Sequence, residues 1–165
     1  IDEMYYNEKM HSRFLKNYKG VSLERVSVKA SPNWQSASSA SGYGTPGCEN
    51  SQHLNGIGSS PVVKFSPGSF SPNFDGYNDE FIISYSIGKP GFTGNVKIFD
   101  LSGRFIFPLI ENEILGTTGE FKWDGTDKTG KMQPLGIYIV TVEFFNFEGE
   151  IYRYKDSVVL TGKTD

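Results

Sequence analysis

From residue 61 onward, short apolar runs alternate with turn signals at the spacing of an all-β sandwich, and no long helical stripe interrupts them. Phe81, Ile83, Tyr85 and Ile87 alternate with Ile82, Ser84 and Ser86, which predicts a half-buried strand with one strongly apolar face. Val96, Ile98 and Phe99 form the next run. Asp100-Leu101-Ser102-Gly103 then turns the chain into residues 104–109, so these two runs are expected to make a hairpin. Phe121 and Trp123 alternate around Lys122, whereas residues 137–147 are nearly continuous β-branched and aromatic sequence, as suits a central strand covered on both faces. Glu148-Gly149 reverses the chain into a last strand holding Ile151, Tyr152 and Tyr154 and resuming through Val158 to Leu160. The expected fold class is all-β, an antiparallel sandwich of about six or seven strands.

The first sixty residues are less regular. Residues 1–29 mix aromatic and aliphatic positions, while residues 30–60 are dominated by Ser, Gly, Ala, Asn and Pro and read as loop or linker. Val21 and Leu23 alternate in one phase and Val26 and Val28 in the other, so a strand here needs a bulge near Glu24-Arg25 to place both pairs in one core. Met10, Phe14 and Tyr18 recur at helical spacing, which predicts a short helix from Glu8 to Asn17. Trp34 is expected to be anchored against a sheet, since an exposed indole forgoes a large burial term. A strand over residues 21–28, if unpaired on one side, is expected to self-associate with another copy or to dock on the second half of the chain.

Composition narrows the function classes. With 165 residues, 37% hydrophobic and 15% aromatic, the chain can form one or two small domains with modest cores. A formal charge of -3, with acids and bases mixed and no basic stripe, argues against nucleic acid as a partner. No run approaches the eighteen or so apolar residues a membrane helix needs, so no membrane insertion is expected. The single Cys48 makes an internal disulfide impossible and is taken as incidental. The chain opens on Ile1 rather than Met, and is expected to be a piece of a longer protein whose upstream domains are its partners.

Candidate chemistry concentrates in two acidic turns. In residues 70–81, FSPNFDGYNDEF, Ser71-Pro72-Asn73 opens one turn and Asp75-Gly76 a second, and Asn78-Asp79 adds two further oxygen-bearing side chains. Asn73, Asp75, Asn78 and Asp79 suit a hard cation such as Ca²⁺, although the D-x-D-x-D-G order and closing Glu of an EF-hand are absent. The same residues suit better an Asx-turn network bonding to its own backbone, and that is the expected role. Asp124 and Asp127 flank Gly125 in the second turn. Paired carboxylates can serve a glycosidase, but open Gly-rich turns rarely raise a carboxyl pKa, and the expected role is turn structure beside an inward Trp123. His11 and His53 belong to no ligand cluster, and no G-x-S-x-G occurs, so no catalytic residue or organic cofactor is expected. Tyr138, Phe144, Phe145, Phe147, Tyr152 and Tyr154 either build the core or line an exposed aromatic stripe.

Two resemblances follow from these residues. Ile1-Asp2-Glu3-Met4, Gly20-Val21-Ser22-Leu23-Glu24-Arg25 and residues 41–50, SGYGTPGCEN, resemble the closing third of a lamin-tail domain, an immunoglobulin-like sandwich. Residues 61–165 resemble the small immunoglobulin-like domains related to the flagellar hook-capping protein and the C-terminal sorting domains of type IX secretion cargo. The motifs are Ser71-Pro72-Asn73-x-Asp75-Gly76-x-Asn78-Asp79, residues 96–104 (VKIFDLSGR), Trp123-Asp124-Gly125-Thr126-Asp127 with Gly130, and Pro134-Leu135-Gly136-Ile137-Tyr138. Phe74 stands where that family often has Gly. The resemblances imply a lamin-tail-like remnant over 1–50, a linker over 51–60 and an immunoglobulin-like sandwich over 61–165. They also imply a non-catalytic module of a secreted or cell-surface protein of a Gram-negative cell, on the extracellular side of the outer membrane. Its partners would be the secretion or cell-envelope machinery; the alternative is an adhesion module binding carbohydrate or protein through an aromatic sheet face.

Overall fold

The alternating run becomes strand β5 (Phe81–Ser86), in the middle of a three-stranded sheet between β3 (Val62–Ser66) and β8 (Thr118–Trp123). In this computed structural model, which describes residues 4–27, 33–54 and 60–162, Phe81, Ile83 and Tyr85 of β5 are buried and the intervening positions are not. Opposite lies a five-stranded sheet with the order β4 (Ser69–Phe70), β10 (Ile151–Leu160), β9 (Gly136–Phe145), β6 (Thr93–Asp100), β7 (Phe105–Ile114). The protein is an immunoglobulin-like β sandwich, and its core forms between the two inner faces.

That core follows from period-two alternation on both sides. Phe81, Ile83, Tyr85, Phe121 and Trp123 from the smaller sheet meet Val96, Ile98, Tyr138, Val140, Val142, Phe144, Val158 and Leu160 from the larger one. Full burial of each large apolar side chain contributes about 1.5–3 kcal/mol. Trp123 sits at the centre, with ring centroids 5.0 Å from Tyr138 and 5.3 Å from Phe70. The indole N–H donates to the Thr126 carbonyl at 2.8 Å, so the one polar atom of the ring is satisfied.

The β6–β7 and β9–β10 hairpins lie where the turn residues predict. Gly103 has φ of 81°, and the Asp100 carboxylate accepts from the Ser102 hydroxyl and the Arg104 amide and guanidinium. The Ser102 hydrogen bond and then the Arg104 amide hold Asp100 below the usual carboxylate range. The last strand is continuous over Ile151–Leu160 rather than interrupted. Among the described residues the sandwich has one departure from an antiparallel arrangement: Ser69 and Phe70 pair in parallel with Val159 and Leu160. Only two residues make this contact, too few to carry a periodic signal. β9 is central, as its composition predicts, but only its inner face is fully buried.

Before residue 60 the chain departs further from expectation. The period-four residues Met10, Phe14 and Tyr18 do not form a helix over 8–17; only Glu8–Met10 makes a 3-10 turn. Phe14 instead stacks on Phe147 at 4.1 Å and meets Phe145 edge-on at 5.1 Å, laying this segment over one end of the five-stranded sheet. β1 (Leu23–Arg25) pairs with β2 (Trp34–Ser36) in regular register, without the bulge expected near Glu24-Arg25. The buried face of β1 is that of Glu24 and Val26, so the phase change has a polar solution; Val28 lies outside the described residues. Trp34 is half-buried in β2, and little else over 33–54 is regular beyond a 3-10 turn at Ser39–Ser41.

Candidate functional site

The 71–79 turn is built as a ring of side-chain oxygens closed onto backbone amides. Asp79 Oδ1 accepts from Phe74 N at 2.7 Å and Oδ2 from Gly76 N at 2.8 Å. Asp75 Oδ1 accepts from Tyr77 N at 2.8 Å, and Asn73 Oδ1 from Asp75 N at 2.9 Å. Asn73 Nδ2 donates to Asp75 Oδ2 at 2.9 Å, and Asn78 contributes its carbonyl, which accepts from Ser71 N. Phe74 and Asn78 have φ of 62° and 50°, in the left-handed region. That is the physical reason a glycine is at home at position 74, and Phe74 holds the conformation only because Asp79 clamps its amide. The ring of Phe74 is 90% exposed and that of Tyr77 76%.

The side-chain oxygens of Asn73, Asp75 and Asp79 thus face N–H groups, and Asn78 joins through its backbone carbonyl rather than its side chain. Among the described residues no three acidic, histidine or cysteine side chains converge as a metal-binding group. Asp79→Ala removes two charge-assisted bonds and is expected to cost about 1 kcal/mol or somewhat more, equally with calcium or chelator. Under a calcium reading the wild type itself loses stability on chelation and Asp79→Ala becomes indifferent to it. Melting curves of both proteins in the two conditions separate these outcomes.

The second acidic turn lies at the same end of the molecule, and Asp124 shares a shallow cleft with Asp79 and Glu80. Asp124 Oδ1 accepts from the amide and hydroxyl of Thr126. Asp127 accepts from the hydroxyl and amide of Thr129, the amide of Lys131 and the side chain of Gln133. The Thr129 hydroxyl and amide bonds hold Asp127 below the usual carboxylate range, opposite to the raised pKa a general acid requires. Lys122 bridges Glu80 and Glu120 at 3.1 and 3.7 Å on the neighbouring strand face.

Of the aromatic residues singled out, Tyr138 and Phe144 are buried in the core, and Tyr152 and Tyr154 pack against its margin. Phe145 and Phe147 face the opposite way and pack against Phe14, with Phe147 still 55% exposed. Farther along this outer face the sheet register places Lys155, Thr141 and Lys97 in one row, and Ser157, Ile139, Phe99 and Phe105 in the next. Phe105 is 49% exposed, Ile137 42%, and Leu101 and Leu135 extend the apolar end beyond the strands. The outer face therefore offers lysines beside uncovered hydrocarbon.

Sequence reasoning missed a buried polar hub. Glu24, 4% exposed, accepts from Thr45 Oγ1 at 2.6 Å, Ser51 Oγ at 2.7 Å and Gln52 N at 3.0 Å. Gln52 Nε2 then donates to the Leu115 carbonyl at 2.8 Å, and Thr117 N donates to the Ser51 carbonyl at 2.8 Å. These bonds dock the first segment on the β7–β8 turn. The run over residues 45–52, TPGCENSQ, was the available signal, since the Thr45 and Ser51 hydroxyls and the Gln52 amide are the partners a buried carboxylate requires.

His11, which the sequence ties to no ligand cluster, is buried. It stacks on Tyr18 at 5.6 Å and lies 3.2 Å from the Ser36 hydroxyl, which also accepts from Ser12 N. Burial lowers its pKa from the usual 6.5, against a smaller opposing pull from Glu8. In this window the unfolded chain binds more protons than the folded one, so the contribution is full above about pH 6.5 and declines as pH falls toward the depressed folded value. Denaturant titrations from pH 7 to 5 are expected to show that loss, and His11→Gln to flatten it.

Comparison with known proteins adds a family. Residues 64–160 match the family model described as CHU_C Type IX secretion signal domain. A search of curated proteins finds no match. Among solved structures, FlgD from P. aeruginosa is 20% identical, with 62% of this chain and 74% of that chain covered and a TM-score of 0.40. The PmoD soluble domain from Methylocystis sp. ATCC 49242 (Rockwell) is 13% identical, covering 64% and 95% at a TM-score of 0.38. CopC from Methylosinus trichosporium OB3b is 15% identical, covering 51% and 78% at a TM-score of 0.34. The family model spans β4 to β10 whole, together with most of β3, which is more than half of the chain, and the protein belongs to the CHU_C type IX secretion signal domain family.

Proposed function

We propose that this chain is the sorting module of a larger secreted protein, handed to the type IX export machinery through its sandwich and performing no catalysis of its own. The observation that carries this reading is the family match over residues 64–160, which includes both acidic turns and all four motifs. The chemistry of those turns agrees with it: their carboxylates are spent on local backbone amides and hydroxyls, which shape a rigid end for recognition. The finished location is the cell surface or the medium of a Gram-negative cell, with the domains upstream as the displayed cargo. Residues 1–50 are the closing part of a lamin-tail-like module and 51–60 the connection to the sandwich of 61–165. What supports this division is that β1 and β2 form a sheet of their own, joined to neither large sheet. Through that free edge the module can also self-associate.

The test is export. A reporter with an ordinary leader, carrying the 165-residue chain at its C-terminus, is expected outside the cells of a type IX-competent bacterium and inside the envelope of a strain lacking the system. Retention in both strains would overturn the reading. A second reading, adhesion to carbohydrate or protein, is favoured by the exposed Phe105 and Ile137 on the outer sheet face, beside the half-buried Phe99; binding there without reporter export would select it.

A further inference from the structure

A cleft of about 410 Å³ opens where the first segment meets the sandwich, and its composition differs from the rest of the molecule. The exposed Lys9 and Arg13 line it together with Trp34, Gln35, Phe147 and the buried Phe92. No acidic residue lines it, in a chain whose formal charge is -3. Among the described residues the side chains of Lys9, Arg13 and Gln35 have no ion pair or hydrogen bond. The volume falls within the range of small-molecule sites, roughly 300–1,000 Å³.

We propose that this cleft binds an acidic saccharide, a sugar ring bearing a carboxylate. Each part of such a ligand meets a group suited to it. The apolar face of the ring stacks on the Trp34 indole, which presents a flat hydrocarbon surface with a polar edge. The unpartnered Gln35 amide offers both a donor and an acceptor to ring hydroxyls. The carboxylate lies between the Lys9 ammonium and the Arg13 guanidinium, where charge-assisted bonds are stronger than neutral ones. A neutral sugar leaves both cations unused, and an acidic peptide makes no use of an open aromatic wall. This site is separate from the acidic turns and from the outer sheet face, and the inference stands independently of the export reading.

The arrangement supplies its own reporter. Trp123 is buried with its indole N–H bonded to Thr126, so a ligand-induced change in tryptophan fluorescence arises from Trp34. Trigalacturonate titrated into the full chain at low salt is expected to change that emission saturably, with a calorimetric heat at the same midpoint. Raising the salt weakens the binding by screening. The double variant Lys9→Gln/Arg13→Gln, at two exposed positions, is expected to melt like the wild type and to bind about tenfold more weakly or worse. Equal binding of neutral maltotriose, equal or tighter binding of triglutamate, or no saturable signal in either measurement would each overturn the proposal. So would a variant of unchanged affinity.

Discussion

Replacing Trp123 with alanine is expected to destabilise the sandwich by about 3–5 kcal/mol, the range for deleting a large aromatic side chain from a packed core. The indole, on β8, is 1% exposed and touches three rings of the opposite five-stranded sheet: Phe70 of β4, Phe107 of β7 and Tyr138 of β9. Its removal opens a cavity that four strands cannot close together, and it also strips the Thr126 carbonyl of its donor. Against a total stability of order 5–15 kcal/mol, this loss takes a large share. Urea unfolding followed by tyrosine fluorescence and far-ultraviolet circular dichroism measures it. Trp123→Phe keeps most of the volume and is expected to fall well short of the alanine effect. An alanine variant within about 1 kcal/mol of the wild type would mean that the two sheets are not held through this residue. Because the export reading requires a folded sandwich, the alanine variant is also expected to export its reporter poorly.

The positions that built the sandwich are those whose chemistry is local. Phe81, Ile83 and Tyr85 alternate because one face of β5 is buried and the other half-open, and a period of two survives in any sequence that obeys this. Asp100-Leu101-Ser102-Gly103 and Glu148-Gly149 mark hairpins because each turn is closed by residues within a few positions of it. The acidic turns were legible on the same ground, and the positive φ of Phe74 accounts for the glycine that the family resemblance implies at that position. What could not be read depends on partners far along the chain. Glu24 resembles an exposed strand residue until Thr45, Ser51 and Gln52 arrive to bond it. Met10, Phe14 and Tyr18 have helical spacing, but Phe14 gains more by stacking on Phe147 across the sequence than by joining a marginal ten-residue helix. The Lys9–Arg13–Trp34 cleft is likewise assembled by docking, and nothing in the spacing of its residues announces it.

Glu24→Ala is expected to release the first segment from the sandwich. The substitution leaves the fully buried Gln52 amide and the Ser51 hydroxyl without their acceptor, and the Thr45 hydroxyl with only the long bond to Asn50 Oδ1 at 3.4 Å. One buried donor left unpaired costs about 1–3 kcal/mol. The segment has little to set against that. Its own sheet is two strands of three residues, and it leans on Phe14 at one end of the molecule and on the Ser51 and Gln52 bonds to the β7–β8 turn at the other. Hydrogen exchange followed residue by residue is the measurement. In the variant, the amides of Val26, Ala37 and Thr117 are expected to lose protection, because each bonds within or across this contact, while those of β9 and β10 keep theirs. If β9 and β10 lose protection together with the segment, the chain unfolds as one unit, and the division into a lamin-tail-like part and a separate sandwich fails. If only the segment opens, the sandwich of 61–165 carries its own stability, and export of a reporter by the variant is expected to match the wild type.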